Sequence, residues 1–522
     1  MVDYIIVGAG SAGCILANRL SESPETSVLL IEAGGPDNKK EITIPAAYST
    51  VFKTEMDWAY ETEPQPYMNN RRLYWPRGKV LGGSSSINAM IYIRGHRQDY
   101  DNWADSGATG WQWDNVLPYF RKLEEHVQGN SDWYGTDGPM HVSAQITPNV
   151  MTAAFLEAAR QAGFHANADF NGQQQDGYGL YHVTQKRGQR WSTARAYLKP
   201  VLKRPNLSTV THALVTRILF EGRNAIGVEY LQEGTTHIVH ANKEIILSGG
   251  TINSPQILLL SGVGPGEQLQ QMGIEIIHDL PGVGQNLQDH IAAGIFHYAS
   301  QPVSLASAES AVNVLKYLLF RKGPLTSNIA EGGMFIRSDP SLDRPDLQFL
   351  FGPIHYVDHG LTKFDGHGFG CGCLVLNPQS SGQITLKSRD PQAHPAIQPC
   401  YLSEQEDMEK MLYGIKLTQR IVEQPAFDPY RGERILPEPA SIQSDDDWRE
   451  YIRNKGETLY HPTGTCKMGQ DRMAVVDPSL KVQGIDNLRV IDASVMPSVT
   501  SGNTNAPTMM IAEKGADLIK EA

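Results

Sequence analysis

The N-terminus contains the pattern that most constrains how this chain can fold. An apolar run, Tyr4 to Val7, leads into the turn Gly8-Ala-Gly-Ser-Ala-Gly13. A helical pattern then continues to Leu20, and a second apolar run covers Ser27 to Ile31. Strand, helix and strand in this order predict a βαβ unit with parallel strands. The chain is therefore expected to build an α/β sheet around its N-terminus.

Each glycine of this turn has a separate physical task. Gly8 permits the tight turn, Gly10 lets the backbone approach a pyrophosphate, and Gly13 lets the helix pack closely on the strand. The N-terminus of the helix then attracts the phosphates. Glu32 stands where a carboxylate accepts hydrogen bonds from an adenosine ribose. These features predict a dinucleotide site, and a glycine-rich turn that serves packing alone is the alternative.

Charge and cysteine content exclude several classes of function. The 45 Lys and Arg against 57 Asp and Glu give a net charge of −12, which argues against nucleic acid or an anionic membrane surface as a partner. Apolar runs are too short for a membrane span, and the five cysteines predict reduced thiols. Cys371 and Cys373 have no second pair at ligand spacing, so no metal site is expected. We expect an untargeted, cytoplasmic protein.

Further along the chain, segments with a helical pattern and segments with a strand pattern follow one another. Small residues recur in Arg77 to Met90, where backbone can lie against a flat ligand, and strand patterns return at Leu207 to Val215 and Ala225 to Leu231. The run ending at Gly250 indicates that the chain re-enters its first domain. Short strand-like runs with amphipathic helices then predict a mainly antiparallel sheet between about 291 and 454.

Four sequence patches together resemble the glucose–methanol–choline (GMC) flavoprotein oxidoreductases along nearly the whole chain. The first is the turn Gly8 to Gly13, and the second is Arg77-Gly-Lys-Val-Leu-Gly-Gly-Ser-Ser-Ser-Ile-Asn88. The third is Gly250-Thr-Ile-Asn-Ser-Pro-Gln-Ile-Leu-Leu-Leu-Ser-Gly-Val-Gly264. The fourth combines His461-Pro-Thr-Gly-Thr-Cys466 with Asn503-Thr-Asn-Ala-Pro-Thr-Met509. The second and third patches are similar to the two signature patterns of that family.

The resemblance implies a fold that is α/β locally and α+β overall. A Rossmann-like FAD-binding domain would be interleaved with a substrate-binding domain built on a mainly antiparallel sheet. The expected FAD-binding segments are residues 1–40, 71–95, 201–295 and 455–522. The expected substrate-binding segments are residues 41–70, 96–200 and 296–454.

The resemblance also implies FAD as the dinucleotide, bound non-covalently. Some relatives tether the flavin through a His in the second patch, but this chain has Ile87 there, so a bond by that route is impossible. Val215 would contact adenine through its backbone, and Asp492 with Ala493 would contact the ribityl and pyrophosphate groups. The predicted cofactor residues are Gly8, Gly10, Ser11, Ala12, Gly13, Glu32, Ala33, Val80, Gly83, Asn88, Ala89, Met90, Ile91, Val215, Tyr460, Asp492, Ala493, Pro507 and Thr508.

Oxidation of an alcohol by a flavin needs a base that removes the hydroxyl proton while hydride passes to flavin N5. His461 holds the position that the family uses for this base, whereas by composition alone any one of the 16 histidines would be an ordinary residue. The partner position holds His or Asn in the family, and Asn505 is predicted to fill it here. Asn505 also precedes Ala-Pro, as a helix N-cap would.

Two further residues are candidates for the substrate pocket. Glu331 would hold a cationic head group, with a solvated loop carboxylate as the alternative, and His355 would line the pocket. The pair His355 and His359 would suit a metal only on a helix, and Pro353 and Gly360 predict a loop instead.

The leading interpretation is therefore an FAD-dependent alcohol oxidoreductase that yields an aldehyde or ketone. The alternative is a GMC-like flavoprotein without net redox chemistry, a hydroxynitrile lyase or a fatty-acid photodecarboxylase. An NAD-dependent Rossmann enzyme would leave the second glycine-rich patch and the C-terminal His and Asn unexplained. The partners are a small alcohol and either oxygen or a quinone-like electron acceptor, and the sequence identifies neither the alcohol nor the acceptor.

Overall fold

The computed structural model describes all 522 residues and shows two seven-stranded sheets, each with its own hydrophobic core, beside five small two-stranded ones. The larger core contains 68 buried residues and the smaller one 38, so each unit buries enough apolar surface to be a domain. The larger core surrounds the N-terminal βαβ unit. The predicted mixed α/β class is confirmed.

The first sheet grows from the N-terminal unit by parallel pairing. The strand Val2–Val7 lies between Val28–Ile31 and Thr235–Leu247 and is parallel to both. Leu207–Val210 extends the sheet beyond Val28–Ile31, and Leu488–Val490 pairs with the other side of Thr235–Leu247, again in parallel. Parallel strands buried on both faces read as continuous apolar runs, which explains why Ile5, Ile6 and their neighbours could be recognised.

The long strand Thr235–Leu247 belongs to two kinds of pairing. Its first half pairs antiparallel with Asn224–Gln232, which in turn pairs with Ala213–Glu221. The single strand predicted from Leu207 to Val215 is wrong, because the chain breaks there into two strands. His212 adopts a left-handed φ of 55°, which turns the backbone between them.

The second sheet is antiparallel throughout, as predicted for the substrate domain. Its spatial order is Arg431–Leu436, Ile291–Ala299, Gly368–Val375, Leu347–Gly352, Gly332–Ile336 and Gly177–Leu180. The short strand Glu457–Thr458 pairs with the beginning of Ile291–Ala299. The predicted strand Gly382 to Leu386 lies outside this sheet and pairs instead, as Gln383–Thr385, with Ala396–Gln398.

Helices cover both sheets. Ser11–Leu20 and Asn505–Lys520 pack side by side on the first sheet, and Arg19 on one helix pairs with the fully buried Glu513 on the other at 2.7 Å. The α-helices are Ser11–Leu20, Lys40–Thr43, Arg97–Asp105, Trp113–Leu123, Val150–Gln161, Gly250–Leu260, Gly266–Gln271, Ala311–Phe320, Gln405–Val422, Asp445–Lys455 and Asn505–Lys520. None of them is both long and apolar enough to cross a membrane.

Two of the predicted domain boundaries do not match the sheets. The strand Ile291–Ala299 lies wholly in the second sheet, so a boundary at 295 cuts through it. Glu457–Thr458 also belongs to the second sheet, although it was predicted within the segment 455–522 of the FAD domain. Turn residues precede both crossings, Pro281 to Gly284 in the first case and Gly456 in the second, but only strand pairing shows at which residue the chain enters the second sheet.

Candidate active site

One large cavity runs between the two sheets and joins the glycine-rich turns to His461. Gly8, Gly10 and Gly83 line one end, and His461, Asn503 and Tyr460 line the other. The aromatic residues Tyr48, Phe296 and Tyr356 also line it. The cavity therefore has a polar, glycine-lined half and an apolar, aromatic half.

The glycine-lined half fits the diphosphate of a dinucleotide. No side chain caps the helix Ser11–Leu20, and its first turn holds no acidic residue, so its positive end is available to an anion. A Cβ on Gly10 would meet nothing nearer than the Ser248 carbonyl oxygen at 4.0 Å and would occupy the cavity. A Cβ on Gly83 would lie 2.7 Å from the Gly10 Cα, so the two turns touch because neither carries a side chain.

Glu32 and Asp492 fix the backbone around this half. The Glu32 carboxylate accepts hydrogen bonds from the N–H groups of Ala9 at 2.7 Å and Gly34 at 2.8 Å. Burial raises the pKa of Glu32 to about 7. Asp492 accepts from the Gly250 N–H at 2.8 Å and the Ser254 hydroxyl at 2.6 Å, which ties the last strand of the sheet to the helix Gly250–Leu260.

Most of the predicted cofactor residues line the cavity, and three do not. Gly13 is a packing residue, because its Cβ would lie 1.8 Å from the Gly8 carbonyl oxygen. Val80 is fully buried in a small apolar cluster with Ile87, and Pro507 is buried in the first turn of the last helix. The residues that do line it are Gly8, Gly10, Ser11, Ala12, Glu32, Ala33, Gly83, Asn88, Ala89, Met90, Ile91, Val215, Tyr460, Asp492, Ala493 and Thr508.

Strand register brings His461 against a second histidine. Ile291 pairs with Thr458, and Ala292 pairs with Leu374 on the neighbouring strand. His290, His461 and Leu376 therefore meet where the three paired strands end. His290 Nδ1 lies 2.9 Å from His461 Nδ1, and His290 Nε2 lies 2.8 Å from the Leu376 carbonyl oxygen.

This chain of hydrogen bonds fixes which nitrogen of His461 carries the proton. The Leu376 carbonyl only accepts, so His290 donates from Nε2 and, when neutral, presents a lone pair at Nδ1. His461 must then donate from its own Nδ1 to His290. The neutral His461 ring is left with its lone pair on Nε2, the nitrogen that faces the cavity and Asn503.

Burial keeps both rings neutral. Desolvation lowers the pKa of His461 well below 6.5, and His290 and the Arg77 guanidinium lower it further. Desolvation also lowers the pKa of His290 to about 4. The Asp289 carboxylate accepts from the His461 backbone N–H at 2.7 Å and from the Thr458 hydroxyl at 2.6 Å, which holds the backbone that carries the imidazole.

The predicted partner of His461 is wrong by two residues. Asn503 places its amide nitrogen 3.0 Å from His461 Nε2. Asn505 instead accepts from the Ser11 hydroxyl at 2.7 Å and is the first residue of the helix, whereas Thr504 holds the N-cap position without a side-chain bond. Asn503, in the turn before the helix, therefore reaches the histidine, and Asn505, at the helix start, reaches the glycine-rich turn.

Aromatic and imidazole groups surround the outer side of His461. The Tyr460 hydroxyl lies 2.6 Å from His359 Nδ1 and 3.4 Å from the Tyr356 hydroxyl. His359 lies in a short turn with a left-handed φ of 61°. His355 and His359 are therefore not on successive turns of one helix, as a metal-binding pair at this spacing would need. Tyr460, Tyr356 and His359 line the cavity wall next to the base.

Both residues predicted for the substrate pocket lie outside the cavity. Glu331 is fully buried, and its carboxylate accepts from the Asn149 N–H at 2.7 Å and from the Thr152 and Ser327 hydroxyls at 2.6 Å each. It joins a helix start to a loop and cannot face a substrate cation. His355 donates from Nε2 to the His297 carbonyl oxygen at 3.1 Å and fills the space above Gly368.

One buried cluster, His126, Asp169 and His182, has the composition of a metal site. The backbone N–H of Gln128 donates to His126 Nδ1 at 3.2 Å, so the neutral ring carries its proton on Nε2, the nitrogen that would have to bind the metal. Asp169 already accepts from the Tyr134 hydroxyl and from the Asn171 N–H. These bonds favour a structural network over metal ligation.

Comparisons with known proteins agree with this arrangement. Two models of the GMC oxidoreductase family match the chain, one over residues 2–292 and the other over residues 378–512. The chain belongs to the GMC oxidoreductase family. As the sequence predicted, it is an FAD-dependent oxidoreductase for CH–OH donors, and Ile87 leaves the flavin without the histidine tether.

Relatives and solved structures support this membership. This GMC oxidoreductase is 47% identical to an alcohol dehydrogenase (acceptor) of Pseudomonas putida, over 99% of this chain and 96% of that protein. It is also 47% identical to the mitochondrial choline dehydrogenase of Mus musculus, over 99% and 89%. Its structure superposes on pyridoxine 4-oxidase of Mesorbium loti with a TM-score of 0.91 and 30% identity, covering both chains completely. A formate oxidase variant of Aspergillus oryzae gives 0.93 at 28% identity, over 100% and 98%.

Sequence reasoning missed Asn503, His290 and Asp289 in this GMC oxidoreductase. Asn503 stood in the same patch as Asn505, and spacing alone could not choose between them. Asp289 and His290 form a polar pair directly before the apolar strand Ile291–Ala299, which is a signal for buried polar groups at a strand end. Only the register of the strands shows that they meet His461.

Gly10→Val tests the cofactor half of the site. The new side chain would fill the cavity where backbone meets diphosphate, so we expect a folded protein that has lost its FAD, shown by the flavin absorbance after gel filtration beside the circular dichroism spectrum. Gly13→Val is the matched control, because its side chain would collide with the Gly8 carbonyl and reduce the melting temperature. A yellow Gly10→Val protein with parent-like flavin content would contradict the assignment.

Proposed function

We propose that this protein oxidises an alcohol to an aldehyde or ketone, with His461 as the base for the hydroxyl proton. The observation that carries the proposal is the Nε2 lone pair of a buried, neutral His461, directed into the cavity by His290. Because Nε2 of the neutral ring carries no proton, His461 can accept the hydroxyl proton without first losing one of its own. FAD, when bound, would accept the substrate hydride at N5.

Asn503 completes the site on the same side of the cavity. Its amide N–H donates to His461 Nε2 in this structure, and a substrate hydroxyl inserted between them would give its proton to Nε2 and accept from the amide. The amide would thereby stabilise the negative charge that grows on the oxygen. The N-terminus of the helix Asn505–Lys520 lines the cavity beside it, and its positive end favours anionic charge there.

The substrate that fits the cavity best is an uncharged alcohol. Glu331, the carboxylate predicted to bind a cation, is sealed away from the cavity. Four carboxylates line the cavity, and each already has a partner. Glu32 and Asp492 bind backbone N–H groups in the cofactor half. Asp358 accepts from the Thr362 hydroxyl, and Glu457 pairs with Arg71. The wall beside His461 is aromatic, with Tyr460, Tyr356 and Tyr48 in contact along it.

The electron acceptor is proposed to be oxygen or a quinone-like molecule, and a cytoplasmic location stays part of the proposal. Rates of reoxidation of the alcohol-reduced enzyme by air and by a dye separate the two acceptors.

His461→Ala should keep its flavin and lose the chemical step, because the cofactor contacts lie elsewhere. Loss of a general base slows flavin reduction by about 10²- to 10⁴-fold. Because burial lowers the pKa of His461 well below 6.5, the parent's rate should stay level from neutral pH downwards and fall only at more acid pH. Rapid-mixing flavin reduction across pH measures both effects. A variant with the parent's rate and pH profile would show that His461 is not the base.

Asn503→Ala and Asn505→Ala form a matched pair at the two ends of one turn. The first should slow flavin reduction by at least about tenfold, because the amide no longer stabilises the substrate oxygen. The second should change the rate less and weaken FAD retention instead, since it breaks the bond to Ser11. Equal rates for the parent and Asn503→Ala, with a slow Asn505→Ala, would restore the assignment made from sequence.

A panel of substrates tests the proposed class. Anaerobic bleaching of the flavin should be faster with primary alkanols and aryl alcohols than with choline at equal concentration, because the described cavity places no unpartnered carboxylate near a cationic head group. Glu331→Gln should leave this preference unchanged. Faster bleaching by choline, lost in Glu331→Gln, would contradict the buried role assigned to this carboxylate.

A further inference from the structure

The helix Ala311–Phe320, called the apolar helix from here on, exposes an unusual amount of hydrophobic surface. Soluble surfaces normally scatter such residues singly, and a contiguous group marks an interaction site. The exposed side chains on this one helix are Val312 at 77%, Leu315 at 56%, Leu318 at 59%, Leu319 at 63% and Phe320 at 67%.

The exposure does not come from a detached helix. Tyr317 is 1% exposed and packs with Ala308 and Leu325, and Val314 packs against the same small cluster. The Tyr317 ring also lies 4.8 Å from the Arg321 guanidinium carbon, which follows the helix. One side of the apolar helix is therefore anchored to the protein while the remainder faces outwards.

Positive charge borders the exposed face. Lys316 lies within the helix, Arg321 and Lys322 follow it, and no acidic residue occurs from 311 to 322. Arg187 is exposed on the neighbouring turn, where Gly188 approaches Arg321. None of these four cations forms an ion pair in the structure. In a chain of net charge −12, this edge has a local excess of positive charge.

We propose that the apolar helix docks this protein on an anionic lipid bilayer, lying in the interface with its leucines and Phe320 in the acyl region. Apolar side chains bordered by Lys and Arg are the pattern of interfacial helices, whose cations reach the lipid phosphates. At about 15 Å, a helix of 10 residues is too short to span the bilayer and lies on it instead.

A second copy of the chain fits this face less well. A two-fold dimer places the same patch of both copies together. Lys316, Arg321 and Lys322 would then face their own copies across a desolvated interface, where like charges oppose association. Lipid phosphates complement the same residues.

The overall negative charge, which argued from sequence against an anionic membrane, does not oppose this local contact. Charges more than about 8 Å away are largely screened at physiological ionic strength. The cations at the apolar helix would lie within that distance of the phosphates, whereas most acidic residues would not.

The apolar helix lies close to one wall of the active-site cavity. Ile44 and Ala46 pack against the same small cluster that anchors Tyr317, and their segment continues to Tyr48, which lines the cavity. No residue of the apolar helix lines that cavity, so docking on a bilayer does not depend on the proposed reaction.

Vesicle co-sedimentation of the FAD-loaded protein tests the proposal. Parent protein should bind vesicles of phosphatidylcholine with phosphatidylglycerol and bind pure phosphatidylcholine vesicles less. Leu315→Asn with Leu319→Asn should weaken binding at least about tenfold. Lys316→Gln with Lys322→Gln should weaken binding to the anionic vesicles about fivefold per residue and remove their advantage. Ile238→Asn is the matched control, since Ile238 is 57% exposed on a strand away from the helix, and it should bind as the parent does.

Sedimentation velocity without lipid and dye-coupled activity complete the experiment. The Leu315 and Leu319 double variant should keep parent-like activity and mass, which shows that it is folded. Failure of the parent to bind anionic vesicles, or equal binding by that double variant, overturns the proposal. A parent dimer that the double variant dissociates, with no vesicle binding by either, also overturns it and identifies the face as a subunit interface.

Discussion

The hydrogen-bond chain from the Leu376 carbonyl through His290 to His461 is the constraint on which the active site depends. It exists only because the strands Ile291–Ala299, Gly368–Val375 and Glu457–Thr458 pair in one register and end at the same level. A slip of one residue would turn every side chain to the opposite face of its strand. The antiparallel sheet thus does more than cover the cofactor, since it sets the protonation state of the base.

Because the hydrogen-bonded pair His290 and His461 is buried, His461 is a base at neutral pH, and the folding stability of the protein depends on pH. Both His461 and His290 have pKa values lowered by desolvation, the second to about 4. Their unfolded pKa values lie near 6.5, so on acidification the unfolded chain takes up protons first. The stabilising contribution of the neutral rings is complete above about pH 6.5 and declines as the pH falls towards the folded values. The same desolvation that prepares the base therefore costs acid stability.

The sequence predicted the parts of this protein that local chemistry encodes. The βαβ unit, the glycines of its turn and His461 were recognised because each has a local pattern, an apolar run, a spacing or a motif. The errors arose where three-dimensional packing decides between similar residues. Asn503 and Asn505 share one turn, and only the direction of the chain into the last helix separates them. Glu331 looked available to a substrate in sequence, yet Asn149, Thr152 and Ser327 enclose it from distant segments.

The tautomer of His461 is the central claim, and ¹⁵N NMR of the holoenzyme labelled at histidine tests it most directly. His461→Gln identifies the resonances by their disappearance. The account predicts that Nδ1 of His461 is protonated and Nε2 is not at neutral pH, and that the ring stays neutral to a pH well below 6.5. A His461 ring that carries its proton on Nε2, or on both nitrogens at neutral pH, would contradict the account, because no lone pair would then face the substrate.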